Sequence, residues 1–232
     1  MTTVLKKRAS ADKTDKEAPV AEKKRNAKAA EKTDDGDDVK LTGSGSINVM
    51  LAEKYDPEKH DPSGWLMSEK MDGVRCYWNG ATMYTRTGKI LFAPESWKSQ
   101  LPKIALDGEL WSGRDDFQNI VSIVRKKTPD EADWKTIKFM IFDAPLLKEP
   151  FEDRLITIKK ELAKSKSTNT EMIKQTICKS AEHLAKLMDE ICGGKGEGVM
   201  LKDPKCSYER KRTFKLLKVK RFEDAEATVY GH

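Results

Sequence analysis

The chain has 232 residues, room for one or two domains, and its 44 Lys and Arg exceed its 38 Asp and Glu to give a net charge of +6. That mild basicity permits nucleic-acid binding without requiring it. No window approaches the roughly 18 apolar residues of a membrane span, and no apolar core marks a secretory signal. The four cysteines, Cys76, Cys178, Cys192 and Cys206, lack Cys-x-x-Cys spacing. They read as reduced thiols of an intracellular protein, not as a zinc site or a disulfide frame.

Residues 1–45 are almost free of large apolar side chains and are rich in Lys, Ala, Glu, Asp and Thr. Such a segment buries too little surface to offset its chain entropy, so a disordered charged tail is expected. Its clusters Lys6-Lys7-Arg8 and Lys23-Lys24-Arg25 fit a nuclear-import signal or a weak DNA tether. Nuclear location is therefore the expectation for a eukaryotic source, with a mitochondrion as the alternative. From Ile47 the pattern is that of a compact domain. Val74 to Trp78, Asn79-Gly80 and Ala81 to Arg86 predict a hairpin, with Asn-Gly as a tight turn whose two central residues take positive φ. Ile104 to Trp111, Ile137 to Phe142 and Val199 to Lys202 predict further strands. Helices are predicted over Asp115 to Arg125, from the spacing of Phe117, Ile120, Val121 and Val124, and over Phe151 to Ala163. A third spans Ser180 to Cys192, begins at a serine cap and stops at Gly193-Gly194. Interleaving without strict βαβ alternation points to α+β with mainly antiparallel sheets.

Five stretches stand in order along this domain: Glu69-Lys70-Met71-Asp72-Gly73-Val74-Arg75, Asp107-Gly108-Glu109, Phe139-Met140-Ile141-Phe142-Asp143, Glu197-Gly198-Val199-Met200 and Leu217-Lys218-Val219-Lys220. A lysine amine is nucleophilic only when neutral, and burial or neighbouring cations favour that form. Lys218 and Lys220, two apart on a predicted strand, point to one face and are candidates for those cations. Alternation also sets Phe142 opposite in facing to Phe139 and Ile141, leaving one face of that strand for a ligand. Gly193-Gly194-Lys195-Gly196 lacks the Gly-x-x-x-x-Gly-Lys-Ser/Thr pattern of a phosphate-binding P-loop and reads as a helix-to-strand loop.

The ordered set, spacers included, resembles the covalent nucleotidyltransferases over residues 63–230, and is most similar to the small ATP-dependent DNA ligases of viral and bacterial type. The resemblance implies an α+β, ATP-grasp-like adenylation domain over 46–222, with two mainly antiparallel sheets enclosing a nucleotide cleft. It implies Lys70 as the AMP-carrying nucleophile, with Lys218 and Lys220 facing the α-phosphate. Glu69, Asp72, Arg75, Arg86, Glu109 and Phe142 are the implied nucleotide-binding residues: Glu109 on a ribose hydroxyl, Phe142 on adenine. Arg75 and Arg86 are also the implied contacts to DNA at a nick. Glu197 is the implied ligand of Mg²⁺ or Mn²⁺, a cation that suits carboxylate and phosphate oxygens. ATP is the implied cofactor, nicked duplex DNA the partner, a membrane is not expected, and the chain is expected to be a monomer. In this family an OB domain follows and carries a basic motif that orients pyrophosphate. The octet Phe222 to Val229 resembles the junction to that domain, so residues 223–232 are read as the start of its linker and the OB domain as missing or separate. An RNA ligase or capping nucleotidyltransferase, and a non-catalytic nick-binding module, are the alternatives.

Overall fold

The computed structural model describes residues 47–165 and 167–221. The tail expected over 1–45, its basic clusters, and the linker expected over 223–232 lie outside the described residues. In chain order the elements are β1 (Leu51–Lys54), β2 (Leu66–Glu69), β3 (Val74–Trp78), β4 (Met83–Thr85), β5 (Ile90–Leu91), α1 (Glu95–Lys98), β6 (Leu106–Trp111) and α2 (Phe117–Val124). There follow α3 (Glu131–Trp134), β7 (Lys138–Asp143), α4 (Phe151–Lys164), β8 (Thr170–Met172), β9 (Thr176–Ile177), α5 (Ala181–Gly193), β10 (Val199–Lys202) and β11 (Arg212–Val219). They make an α+β fold with two sheets. One has strand order β1-β11-β10-β2-β9 and the other β5-β4-β3-β6-β7-β8. The β1–β11 and β7–β8 pairs are parallel and the rest antiparallel.

Period-two alternation divides each sheet into a core face and a cleft face. In the six-stranded sheet Cys76, Trp78, Leu106, Leu110, Phe139 and Ile141 turn one way. They pack against Ile120, Ile123 and Val124 of α2, Trp134 of α3 and Ile158 of α4. Each such apolar side chain contributes about 1.5–3 kcal/mol on full burial. The alternate positions Arg75, Asp107, Glu109 and Phe142 line a cleft on the other face. The five-stranded sheet repeats the device. Met67, Val199, Leu201 and Leu217 pack under Leu184, Met188 and Ile191 of α5. Ser68, Met200, Lys202, Leu216 and Lys218 face the cleft.

The helices lie close to the predicted spans. Ser180 caps α5 by accepting a hydrogen bond from the His183 amide at 3.3 Å. Two local expectations fail. The β3–β4 connection is not a two-residue Asn-Gly turn: Trp78 pairs with Met83, so four residues make the loop. Only Gly80 has positive φ (97°); Asn79 instead uses its side-chain oxygen to accept from the amides of Ala81 and Thr82 at 2.9 and 2.7 Å. An asparagine side chain that mimics a turn carbonyl competes with the tighter turn. Lys220 also lies one residue beyond the end of β11, and of the two lysines only Lys218 lines the cleft.

Candidate active site

Lys70 follows β2 directly, and its backbone amide donates to the Gly198 carbonyl at 2.8 Å. That bond ties the start of the 70–73 segment to the approach of β10. Because β2 and β10 pair antiparallel, Lys70 and Glu197 are brought side by side from 127 residues apart. Lys70 Nζ donates to Glu197 Oε2, and Lys220 Nζ donates to Glu197 Oε1. One carboxylate thus joins two lysines. Burial pushes the Glu197 pKa up, but the hydrogen bonds from Lys220 and Lys70 outweigh it and hold the carboxyl below its ordinary value.

Across the cleft, Arg75 is set by Asp107, which is wholly buried. Its Nε donates to Asp107 Oδ1 at 2.8 Å and its Nη2 to Oδ2 at 2.6 Å, a two-pronged pairing that fixes the guanidinium plane. Nη2 also donates to the Met50 carbonyl at 3.0 Å, and the guanidinium lies 4.8 Å from the centre of the Phe142 ring. Burial works against the Arg75 charge, yet Asp107 more than offsets it and raises the pKa above the usual arginine value. Tyr208 completes this wall: its hydroxyl donates to Asp107 Oδ2 at 2.6 Å and accepts from the Met50 amide at 3.0 Å. Glu109 stands beside Arg75 on the cleft face. Burial, only partly countered by Arg75 and Lys70, pushes its pKa up to about 8.

The structure brings together Glu69, Lys70, Arg75, Arg86, Glu109, Phe142 and Lys218 as cleft-lining residues, with Glu197 and Lys220 attached through Lys70. Arg86 is exposed at the rim. Asp72 is not brought in: it is exposed and does not line the cleft. Glu69 lines the cleft, but both its oxygens are taken by Arg114 at 2.8 Å.

Three features in and around the cleft were not read from the sequence. Tyr208, in its lining, is one, and Arg114, which holds Glu69 from outside it, is another. The third is a buried charge cluster that meets the cleft at Lys202. There Asp143 accepts from Arg154 Nε at 2.7 Å, from Arg154 Nη2 at 3.0 Å and from Lys202 Nζ, and Lys202 lies 4.1 Å from the centre of the Phe151 ring. Burial pushes the Asp143 pKa up, and Lys202 and Arg154 together hold it down. The spacing of Met200 and Lys202 could have marked Lys202 as cleft-facing; nothing local marks Tyr208 or Arg154.

No group of three or more His, Cys, Asp or Glu suited to a metal occurs among the described residues. A single carboxylate at Glu197 nevertheless fits Mg²⁺, which keeps several waters and binds through one or two carboxylates plus substrate phosphates. The chemistry this arrangement allows is attack by an amine on a phosphate held between paired lysines and an aromatic-lined base site.

Comparison with known proteins identifies the family to which this fold belongs. A family model described as the ATP dependent DNA ligase domain matches residues 49–220. A DNA ligase of Haemophilus influenzae is 36% identical over 185 residues, covering 80% of this chain and 68% of that protein. A structure from a structure–function study of Lig E DNA ligases superposes with a TM-score of 0.72 at 31% identity, over 76% of this chain and 69% of that one. The Chlorella virus DNA ligase-adenylate, 21% identical, shares the fold with a TM-score of 0.63 over 77% of this chain and 70% of its own.

Proposed function

The chain belongs to the ATP-dependent DNA ligase family, and from that membership we propose that Lys70 is the residue that carries AMP. The family reaction proceeds through a lysine–AMP intermediate, and the chain is an ATP-dependent DNA ligase catalytic domain. In the first step the Lys70 amine, having lost a proton, attacks the α-phosphorus of ATP. A nitrogen–phosphorus bond forms and the bond to pyrophosphate breaks. The 5′-phosphate of a DNA nick then displaces Lys70 from that phosphorus. Finally the 3′-hydroxyl attacks the activated 5′-phosphate and AMP leaves.

The observation that carries the assignment is the position of Lys70. It is a lysine on the cleft floor, paired with Glu197, with Lys220 on the other Glu197 oxygen, the cleft-lining Lys218 from β11, and Arg75, Glu109 and Phe142 on the opposite wall. Lys218 and Lys220 are suited to face the α-phosphate, where fixed cations stabilise developing charge. Phe142 is suited to stack on adenine, and Arg75, clamped by Asp107, lies over one face of that ring. Glu109 is suited to the ribose. Glu197 would hold Mg²⁺ or Mn²⁺, which supplies charge neutralisation on the phosphate when bound. Arg86, exposed at the rim, is suited to a phosphate of nicked duplex DNA, which the chain engages as a monomer; Arg75 is suited to the nucleotide first and the nick second. Asp72, facing solvent, has its support from the motif alone.

Incubation with α-labelled ATP and Mg²⁺ should leave acid-labile, base-stable AMP on Lys70. Labelling should be lost in Lys70→Ala, whose circular dichroism should match the parent. Peptide mapping that put the label on another lysine would sink the assignment. Equal labelling by GTP would favour the capping-type alternative.

A further inference from the structure

The loop between β6 and α2 reaches across to the other sheet. Arg114 carries this contact with three hydrogen bonds of equal length. Its Nε and Nη2 donate to the two oxygens of Glu69, and its Nη1 donates to the Gly194 carbonyl, each at 2.8 Å. Glu69 is the chain neighbour of Lys70, and Gly194 begins the loop that leads into Glu197. One guanidinium therefore grips both segments that deliver the Lys70–Glu197 pair.

Independent features converge on the same joint. Asp115 and Lys195 are ion-paired at 2.7 Å between the two loops. They are also the two non-glycine residues with positive φ among the described residues, 59° and 65°. Positive φ is uncommon at non-glycine residues, more so at a lysine than at an aspartate. The glycines have a role as well. A Cβ at Gly194 would run into Arg114 Nη1, and one at Gly196 would come 3.0 Å from Glu69 Oε1 and collide with Ile191. Gly194 and Gly196 thus leave the clearance that lets this loop close on Arg114 and Glu69.

A surface ion pair is ordinarily worth little. This one differs in kind: it is two-pronged, it has a backbone carbonyl as third acceptor, and the Arg114 and Glu69 side chains are only 35% and 25% exposed. Both Glu69 oxygens take part in it.

We propose that Arg114 is a positioning residue: through Glu69 and Gly194 it sets Lys70 relative to Glu197 for attack on ATP. The proposal rests on the reading of Lys70 as the nucleophile. Its test compares two reactions of the full chain. One is single-turnover labelling from α-labelled ATP, which needs the attack by Lys70. The other is joining of a pre-adenylylated nick, which does not. In Arg114→Gln the labelling rate constant at saturating ATP should fall on the order of 10²-fold, as misplacement of a reacting group does. The KM for ATP and the joining rate should stay within about twofold of the parent, far inside that loss. Arg114→Lys should fall as well, because an ammonium cannot reproduce the fork. Glu69→Gln should match Arg114→Gln, and the double variant should be no worse than either, as for residues acting as one unit. Unchanged labelling in both Arg114 variants would overturn the proposal. So would a raised KM at constant rate, or equal losses in the two reactions. Labelling that survives Lys70→Ala would strike instead at the assignment of Lys70, so the two failures are told apart.

Discussion

Among the described residues, Glu109 is a carboxyl whose ionisation separates the folded chain from the unfolded one near neutrality. Its pKa rises from an ordinary 4.5 to about 8, first because it is buried. The folded state then holds a proton that the unfolded state has released, so stability falls as pH climbs from about 4.5 to about 8. The contribution is complete below that window and gone above it. Glu197 and Asp143 have the opposite sign. Their pKa values are depressed below 4.5 and 3.8, so their contributions are present above those values and are lost in acid, outside the window. Glu109→Gln, which mimics the protonated group, should therefore unfold in urea with a midpoint that changes less than the parent's between pH 5 and 8. Parallel curves for the two proteins would mean that Glu109 is already ionised in the folded cleft.

At the scale of elements, the cluster around Asp143 joins α4 to both sheets: Arg154 comes from the helix, Asp143 from β7 and Lys202 from β10. Asp143 and Arg154 are fully buried. Such a cluster need not outperform an apolar replacement, but losing one member strands the others. Arg154→Ala should cost about 3–5 kcal/mol in urea unfolding; a loss under about 1 kcal/mol, the worth of an exposed pair, would show that water reaches the cluster. This is also where sequence reading ran out. Phe142, Lys218 and Glu197 were legible because strand alternation and short motifs are local signals. Arg154 and Tyr208 were not, since their partners lie 11 and 101 residues away in sequence and no spacing rule links them. Glu69 was legible as a motif member, but its engagement by Arg114, 45 residues on, was not. The β3–β4 turn failed for a different reason: the dipeptide suggested a tight turn, while the Asn79 side chain stabilised a wider one.

For the molecule as a whole, the α+β class was legible from the interleaving of strands and helices, whereas the two sheets around a cleft came from the resemblance to the covalent nucleotidyltransferases. DNA affinity should follow the phosphate contacts of the rim and fall steeply with salt. Arg86, exposed at the cleft mouth, is the test case. If it meets one phosphate, Arg86→Ala should weaken binding to nicked duplex uniformly across sequences and reduce the slope of log affinity against log salt by about 1. An unchanged slope would remove Arg86 from the interface. The strand order carries a consequence for how the protein is made. The six-stranded sheet draws on one continuous stretch, from Val74 to Met172. The five-stranded sheet instead sets β1 beside β11, the first described strand against the last, and Lys70 follows directly after β2 of the same sheet. On the ribosome, one wall of the cleft can form while the other still lacks β10 and β11. The growing chain holds the proposed nucleophile at the edge of an unfinished sheet, and the cleft closes only when residues near 219 emerge.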